Sequence, residues 1–360
     1  MSKKVVTIVG ARPQFIKAAT ISRELQKAGV NEKIIHTGQH FDDNMSQIFF
    51  DEMDIPKPDY NLNIHSLSHG AMTGRMIEEI EEILIQEKPD CIIVYGDTNS
   101  TLAGALAAQK LHIPIAHVEA GLRSFNMKMP EEVNRILTDR ISNLLFCPTE
   151  NAIKNLKNEG FDNFTCSVIR SGDVMQDAAL YYEKKADEKS SIIKSLTLDH
   201  SKYILCTIHR QENTDDLVRL KSIISSLNEL SKNYKIVLPI HPRTKNIIKD
   251  LPIHLNFEPI SPVGYFDMIQ LIKHCEFVIT DSGGLQKEAF FFKKFCITTR
   301  DETEWIELVE NGFNVVVGAE QEKILSEAIK IVNKSANFDL DLYGKGKASR
   351  IIAYEILKFN

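Results

Sequence analysis

The sequence predicts an α/β fold of two doubly wound domains, on three observations. Short apolar runs alternate with amphipathic segments along nearly the whole chain. The alternation weakens from about Phe161 to Ser201 and then restarts. Each run that reads as a strand is followed at once by polar or glycine-rich residues. Strand and helix signals in alternation imply parallel sheets covered on both faces. A length of 360 residues is enough for two cores, and the expected junction lies near Ser171.

The first series opens with Val5–Val9, Lys33–His36, Cys91–Tyr95, Ile113–His117 and Leu144–Cys147 as strands. Between them Ser22–Lys27, Met72–Gln86 and Thr101–Lys110 carry helical spacing. The charged stretch Tyr181–Ser195 reads as a surface helix. Ile204–Thr207, Ile236–Pro239, Phe277–Thr280 and Phe295–Thr298 then supply the second sheet. The net charge of −6 has both signs interspersed, which gives no case for a nucleic-acid or membrane partner. No apolar run is long enough to span a bilayer. Lys3-Lys4 leads into a five-residue strand rather than a signal peptide. The six cysteines show no CxxC and no zinc spacing. They read as buried thiols in a reducing compartment, hence the cytoplasm. No metal site and no cofactor is expected.

Candidate site residues cluster at strand ends, where open α/β sheets bind ligands. In His117–Arg135 a histidine, Glu119 and Arg123 follow a buried strand, and Pro130-Glu131-Glu132 opens a helix. Glu119, Glu131 and Glu132 could converge on one pocket, or the last two could only complement the helix dipole. A carboxylate ending an apolar strand, as Glu119 does, needs a partner or a task. Arg12 and Lys17 flank the start of the first helix, a natural phosphate site, although Lys17 alone reads better as a lysine on a solvated helix face. Asp97 follows the third strand and could instead cap the next helix. In the second half His209 and His241 each end a strand beside an arginine. Ser282, Gly283 and Gly284 would offer bare backbone N–H groups to a diphosphate, or form only a tight turn. Glu288, one helical turn further on, could grip both ribose hydroxyls. Several carboxylates and a histidine without a cofactor suggest proton transfer or elimination.

The runs GARPQFIK, TGQH, GDTNSTLAGALAA, HVEAGLR, PEEVNR, TIHRQEN, HPRT, TDSGGLQKEA and YGKGKAS occur in this order. The set resembles the non-hydrolysing UDP-N-acetylglucosamine 2-epimerases from Gly10 to Ser349. The resemblance implies a glycosyltransferase-B-like fold of two Rossmann-like domains with the active site in the cleft between them. The domains would be residues 1–170 and 171–345, with 346–360 a C-terminal helix returning to the first. It implies an isomerase that inverts C2 of a UDP-2-acetamido sugar by elimination and re-addition of UDP through a glycal, for surface polysaccharide. Asp97, Glu119, Glu131 and His209 match the family's catalytic acids and bases. Arg12 and Lys17 match its basic residues near the diphosphate. Ser282, Gly283, Gly284 and Glu288 match its UDP contacts, and His241 is taken as a further binding residue. A homodimer is the expected assembly. Three departures stand out. The loop Ser124–Met129 is short and lacks a Trp-Pro, Trp305 stands at an arginine position, and Phe41 replaces the arginine of an allosteric motif. They resemble the branch acting on UDP-2,3-diacetamido-2,3-dideoxyglucuronate. The alternatives are a UDP-N-acetylglucosamine to UDP-N-acetylmannosamine epimerase and a UDP-sugar-dependent glycosyltransferase.

Overall fold

A computed structural model describes residues 2–39, 57–240, 242–249 and 253–359. Phe41 and His241 lie outside these residues. The chain divides into two compact units, 1–178 with 341–360 and 179–340.

The first unit runs β1 (Lys4–Val9), α1 (Arg12–Lys27), β2 (Asn31–His36), β3 (Tyr60–Asn61), α2 (His69–Glu87), β4 (Cys91–Tyr95), α3 (Asn99–Lys110), β5 (Ile115–Val118), α4 (Pro130–Ile141), β6 (Leu144–Cys147), α5 (Glu150–Asn158) and β7 (Ser167–Arg170). Helix α6 (Val174–Lys189) crosses into the second unit. The seven strands are parallel, in the order β3-β2-β1-β4-β5-β6-β7. All five residues of β4 are buried, as expected of a central strand with helices on both faces. Val6, Ile8, Ile92 and Val94 meet Met76, Ile80 and Leu84 of α2 and the alanines of α3 in one core.

The second unit continues with α7 (Ile192–Ser195), β8 (Tyr203–Thr207), α8 (Gln211–Thr214), α9 (Leu217–Leu230), β9 (Lys235–Val237), α10 (Pro242–Lys249), α11 (Tyr265–His274), β10 (Val278–Thr280), α12 (Gly283–Phe291), β11 (Cys296–Thr298), α13 (Ile306–Glu310), β12 (Asn314–Val316) and α14 (Gln321–Val332). Its parallel order is β12-β11-β10-β8-β9. Each sheet reverses its winding between two central strands, β1/β4 and β8/β10. The loops after those strands therefore flank a crevice in each unit, where ligands bind.

The first helix starts at Arg12, as the sequence placed it, and runs without a break through Ser22–Lys27, because Pro13 suits the first turn and the Gln14 side chain accepts the Gly10 and Ala11 N–H groups at 2.8 and 3.0 Å. Several sequence expectations need correction. Strands β3, β7 and β12 are too short or too exposed to carry an apolar run. The stretch Tyr181–Ser195 is not one surface helix. It is the end of α6 and the separate α7, and Tyr182 is buried against Tyr265 and Phe266.

After the second unit the chain returns to the first. Asp173 N–H donates to the Tyr343 carbonyl at 2.8 Å. The Asp177 carboxylate accepts the Ala348 and Ser349 N–H groups at 3.1 and 2.8 Å, capping α15 (Ala348–Lys358), which packs on α1. Gly172 has φ 86°, and a Cβ there would lie 2.5 Å from the Tyr343 carbonyl oxygen. Gly172→Ala is expected to destabilise the first unit by about 1–3 kcal/mol, read as a lower midpoint of its transition in calorimetry.

Candidate functional site

Three strand ends of the first unit meet beside a cavity of about 180 Å³ lined by Lys17, Gln39, His69, Asp97 and Glu131 among others. Gln14 knits the floor: its amide donates to the Tyr95 carbonyl at 2.7 Å and to the Thr98 and Thr101 hydroxyls at 2.9 Å. Thr98, not Asp97, caps α3. Asp97 is therefore released from that structural role. Its side chain is 33 % exposed and pairs with Arg135 at 2.7 Å. Burial raises its carboxyl above the ordinary range; Arg135 and Lys17 oppose this, while Glu119 and Glu131 add to it.

Glu119 ends β5 with φ 73°, a conformation few non-glycine residues adopt. Its N–H and that of Ala120 both donate to the Phe146 carbonyl, which turns the carboxylate back onto Lys17. Lys17 is thus the partner of an acid rather than a solvated lysine. Arg12 opens α1.

His117 anchors this arrangement from below. Its Nδ1 faces Asp139 at 2.6 Å and its Nε2 the Gly96 carbonyl at 2.8 Å, so both ring nitrogens are engaged. Asp139 also accepts Arg123 at 2.7 Å and the Gly121 N–H at 3.1 Å. Burial acts to raise the Asp139 carboxyl, but His117 and Arg123 outweigh it and hold it below the usual range. The opening glutamates of α4 differ sharply. Glu131 is exposed at the cavity, whereas Glu132 is fully buried. Arg123 is 3 % exposed and bonded to Asp139, Glu159 and the Leu122 carbonyl, so it serves the scaffold rather than a substrate anion. Lys128 remains exposed.

In the second unit His209 and the DSGG turn come together after β8 and β10. Buried Asp281 accepts the N–H groups of His209 and Arg210, each at 3.0 Å, and the His209 Nδ1 at 3.0 Å. Burial pushes Asp281 upward, but the His209 ring and these amides hold it below the ordinary range. The pairing leaves Nε2 as the basic nitrogen of a ring that is 53 % exposed. Ser282 caps α12. Gly283 allows close approach: a Cβ there would lie 2.5 Å from Glu304 Oε1, while Gly284 faces open space. The Trp305 indole donates to the Gly283 carbonyl at 2.9 Å, and Lys287 lies over its ring. Glu288 is buried on the same helix. Glu132, expected either in the pocket or at the helix dipole, is buried away from the cavity, and the sequence assigned no role to Asp281, Gln14 or Arg135; for Arg135 the available signal was a polar residue recurring one helical turn inside a site-forming segment.

Residues 23–357 match the protein family described as UDP-N-acetylglucosamine 2-epimerase. The chain belongs to this family. As a UDP-N-acetylglucosamine 2-epimerase family member it is 55 % identical over 357 residues to the UDP-2,3-diacetamido-2,3-dideoxy-D-glucuronate 2-epimerase of Pseudomonas aeruginosa, covering 99 % of both chains. It is similar to the crystal structure of Methanocaldococcus jannaschii UDP-GlcNAc 2-epimerase in complex with UDP-GlcNAc and UDP, with TM-score 0.89, 42 % identity and all of both chains covered. The Neisseria meningitidis enzyme bound to UDP-GlcNAc gives 0.87 and 34 %, over 99 % of this chain and 100 % of the other. The two parallel α/β units are thus those of a glycosyltransferase-B-like fold. Among the described residues no helix is long and apolar enough to cross a membrane. All six cysteines are free, five of them buried.

Asp139→Asn, which removes the charge shared by buried His117 and Arg123, is expected to cost about 3–5 kcal/mol, measurable by urea unfolding. The folded-state carboxyl lies below its unfolded value. Its stabilisation is therefore present above the unfolded value and is lost as pH falls through the folded one. The acid-side fall of Tm should flatten in the variant.

Proposed function

We propose that this epimerase inverts C2 of UDP-2,3-diacetamido-2,3-dideoxyglucuronate, for surface polysaccharide synthesis. One observation carries the choice of sugar: the end-to-end identity to the Pseudomonas aeruginosa enzyme of that name. The absence of a Trp-Pro in Ser124–Met129 supports it. The chain is an isomerase of the non-hydrolysing UDP-sugar type, so UDP is eliminated across C1–C2 and added back to a glycal. The C2 proton is not acidic, since no neighbouring carbonyl stabilises a carbanion. Departure of UDP therefore runs ahead of C–H cleavage, and the diphosphate needs as much stabilisation as the base.

The chain's residues suit those tasks. In this reading Ser282, Gly283 and Gly284 at the start of α12 receive the diphosphate, and Glu288 takes the ribose. Arg12 and Lys17 attend the diphosphate from the first unit, and His241 adds a contact. Asp97, whose carboxyl burial raises above the ordinary range, and Glu119, which is paired with Lys17, are the two carboxylates offered to the acid and base steps. Glu131 works from the exposed side of the cavity. His209, backed by Asp281, handles a proton at Nε2 in the manner of other carboxylate-oriented imidazoles. The same reading takes the enzyme as a cytoplasmic homodimer, which sedimentation would report as twice the chain mass.

Asp97→Asn, Glu119→Gln, Glu131→Gln and His209→Asn should each lower kcat by ~10²–10⁴-fold with UDP affinity little changed; a variant near wild-type kcat leaves the mechanism. Proton NMR in D2O should show deuterium entering at C2 without free sugar. The specificity ratio kcat/KM for the diacetamido-glucuronate should exceed that for UDP-N-acetylglucosamine. Equal or reversed values would place the enzyme with the UDP-N-acetylmannosamine-forming epimerases.

A further inference from the structure

Glu132 makes more bonds than a helix dipole requires. Its Oε2 accepts the Ser124 N–H at 2.9 Å, the Ser124 hydroxyl at 3.0 Å and Arg135 Nη2 at 2.9 Å. Its Oε1 accepts the Phe125 N–H at 2.9 Å. The carboxylate is wholly buried. Burial alone would raise it, but the Ser124 amide and Arg135 hold it below the ordinary range, so it is ionised. Phe125, at the loop's tip, has φ 59° and a side chain 72 % exposed. A strained backbone whose own side chain packs on little is kept in place by the bond to its N–H. The other arm of Arg135 holds Asp97 at 2.7 Å. One guanidinium thus joins the carboxylate that fixes the loop to the carboxylate that faces the cavity.

We propose that Glu132 is a positioning residue which, through Arg135, sets the loop Ser124–Met129 and Asp97 together as one unit. The inference rests on the epimerase reading for its consequence: the loop that distinguishes sugars and the acid that works on them share one pin. A sugar that displaces the loop disturbs Asp97, and the charge on Asp97 feeds back on the loop, because coupling between two sites is reciprocal. Among the described residues, the charged and titratable groups around Asp97 are Arg135 and Glu131 from α4, Lys17 from α1, Glu119 from the end of β5 and His69 from α2. Of these, Arg135 alone is shown bonded to both Asp97 and Glu132.

Hydrogen exchange at the Ser124 and Phe125 amides, read by NMR or mass spectrometry, tests the link without substrate. Glu132→Gln should speed both on the order of tenfold, as for the loss of one charge-assisted hydrogen bond. Asp97→Asn, at the other end of the chain of bonds, should change the same two amides severalfold while those of β6 stay at their wild-type rate. In turnover, the limb of the kcat–pH profile that vanishes in Asp97→Asn should move to lower pH in Glu132→Gln, since a neighbouring negative charge is lost and Arg135 is no longer shared. KM should rise with it. Loop amides unmoved by Asp97→Asn overturn the proposal, whether or not Glu132→Gln folds. A limb and KM both at wild-type position in a folded Glu132→Gln overturn it as well. A wild-type enzyme that turns over no UDP-2-acetamido sugar removes the functional reading instead, and the exchange result still decides the coupling.

Discussion

The first unit's site depends on a buried imidazole bonded at both ring nitrogens. His117 sits in the middle of β5, between the carbonyl that ends β4 and a carboxylate on α4. Three elements are thereby locked at the edge where Asp97, Glu119 and Glu131 emerge. The lock is electrostatic, so its strength comes from the lack of water around it. Arg123 completes the charge balance and ties in Glu159 of the segment after α5. The most eye-catching run of the sequence is therefore largely scaffold: His117, Arg123, Glu132 and Arg135 are committed to buried bonds, while Glu131 lines the cavity and Glu119 pairs with the cavity-lining Lys17.

The second unit solves the same problem with a different pair. Asp281 is buried under His209 as Asp139 is under His117, but here the ring is half out in solvent. The same two residue types therefore give a buried strut in one case and a solvent-facing ring in the other. Burial separates them, and burial is a property of the fold.

That difference marks how far the chain could be read. Strands buried on both faces, such as Cys91–Tyr95 and Leu144–Cys147, were legible because every position had to be apolar. The two-residue β3 and the half-exposed β7 carry no such pattern. The site was legible as a set of strand ends, since parallel topology delivers all of them to one edge. Roles within it were not. Glu131 and Glu132 are identical in composition and adjacent in sequence, and a helix turn of about 100° puts one in solvent and the other in the interior. Asp97 and Thr98 both make good caps, and only the backbone decides which one turns inward. The burial of Arg123 could not be read locally because its acid partners, Asp139 and Glu159, are 16 and 36 residues away.

The return of the chain at Asp341 has a consequence for synthesis. The second unit is a continuous stretch, whereas the first is split around it. A ribosome delivering the chain from its N-terminus finishes the second unit's sequence before it releases the residues that cap and cover the first. Until Tyr343 reaches Gly172 and Ser349 reaches Asp177, α1 lacks the helix that packs on it. The unit made first is thus the last to be completed, and its apolar surface waits longest for cover during translation.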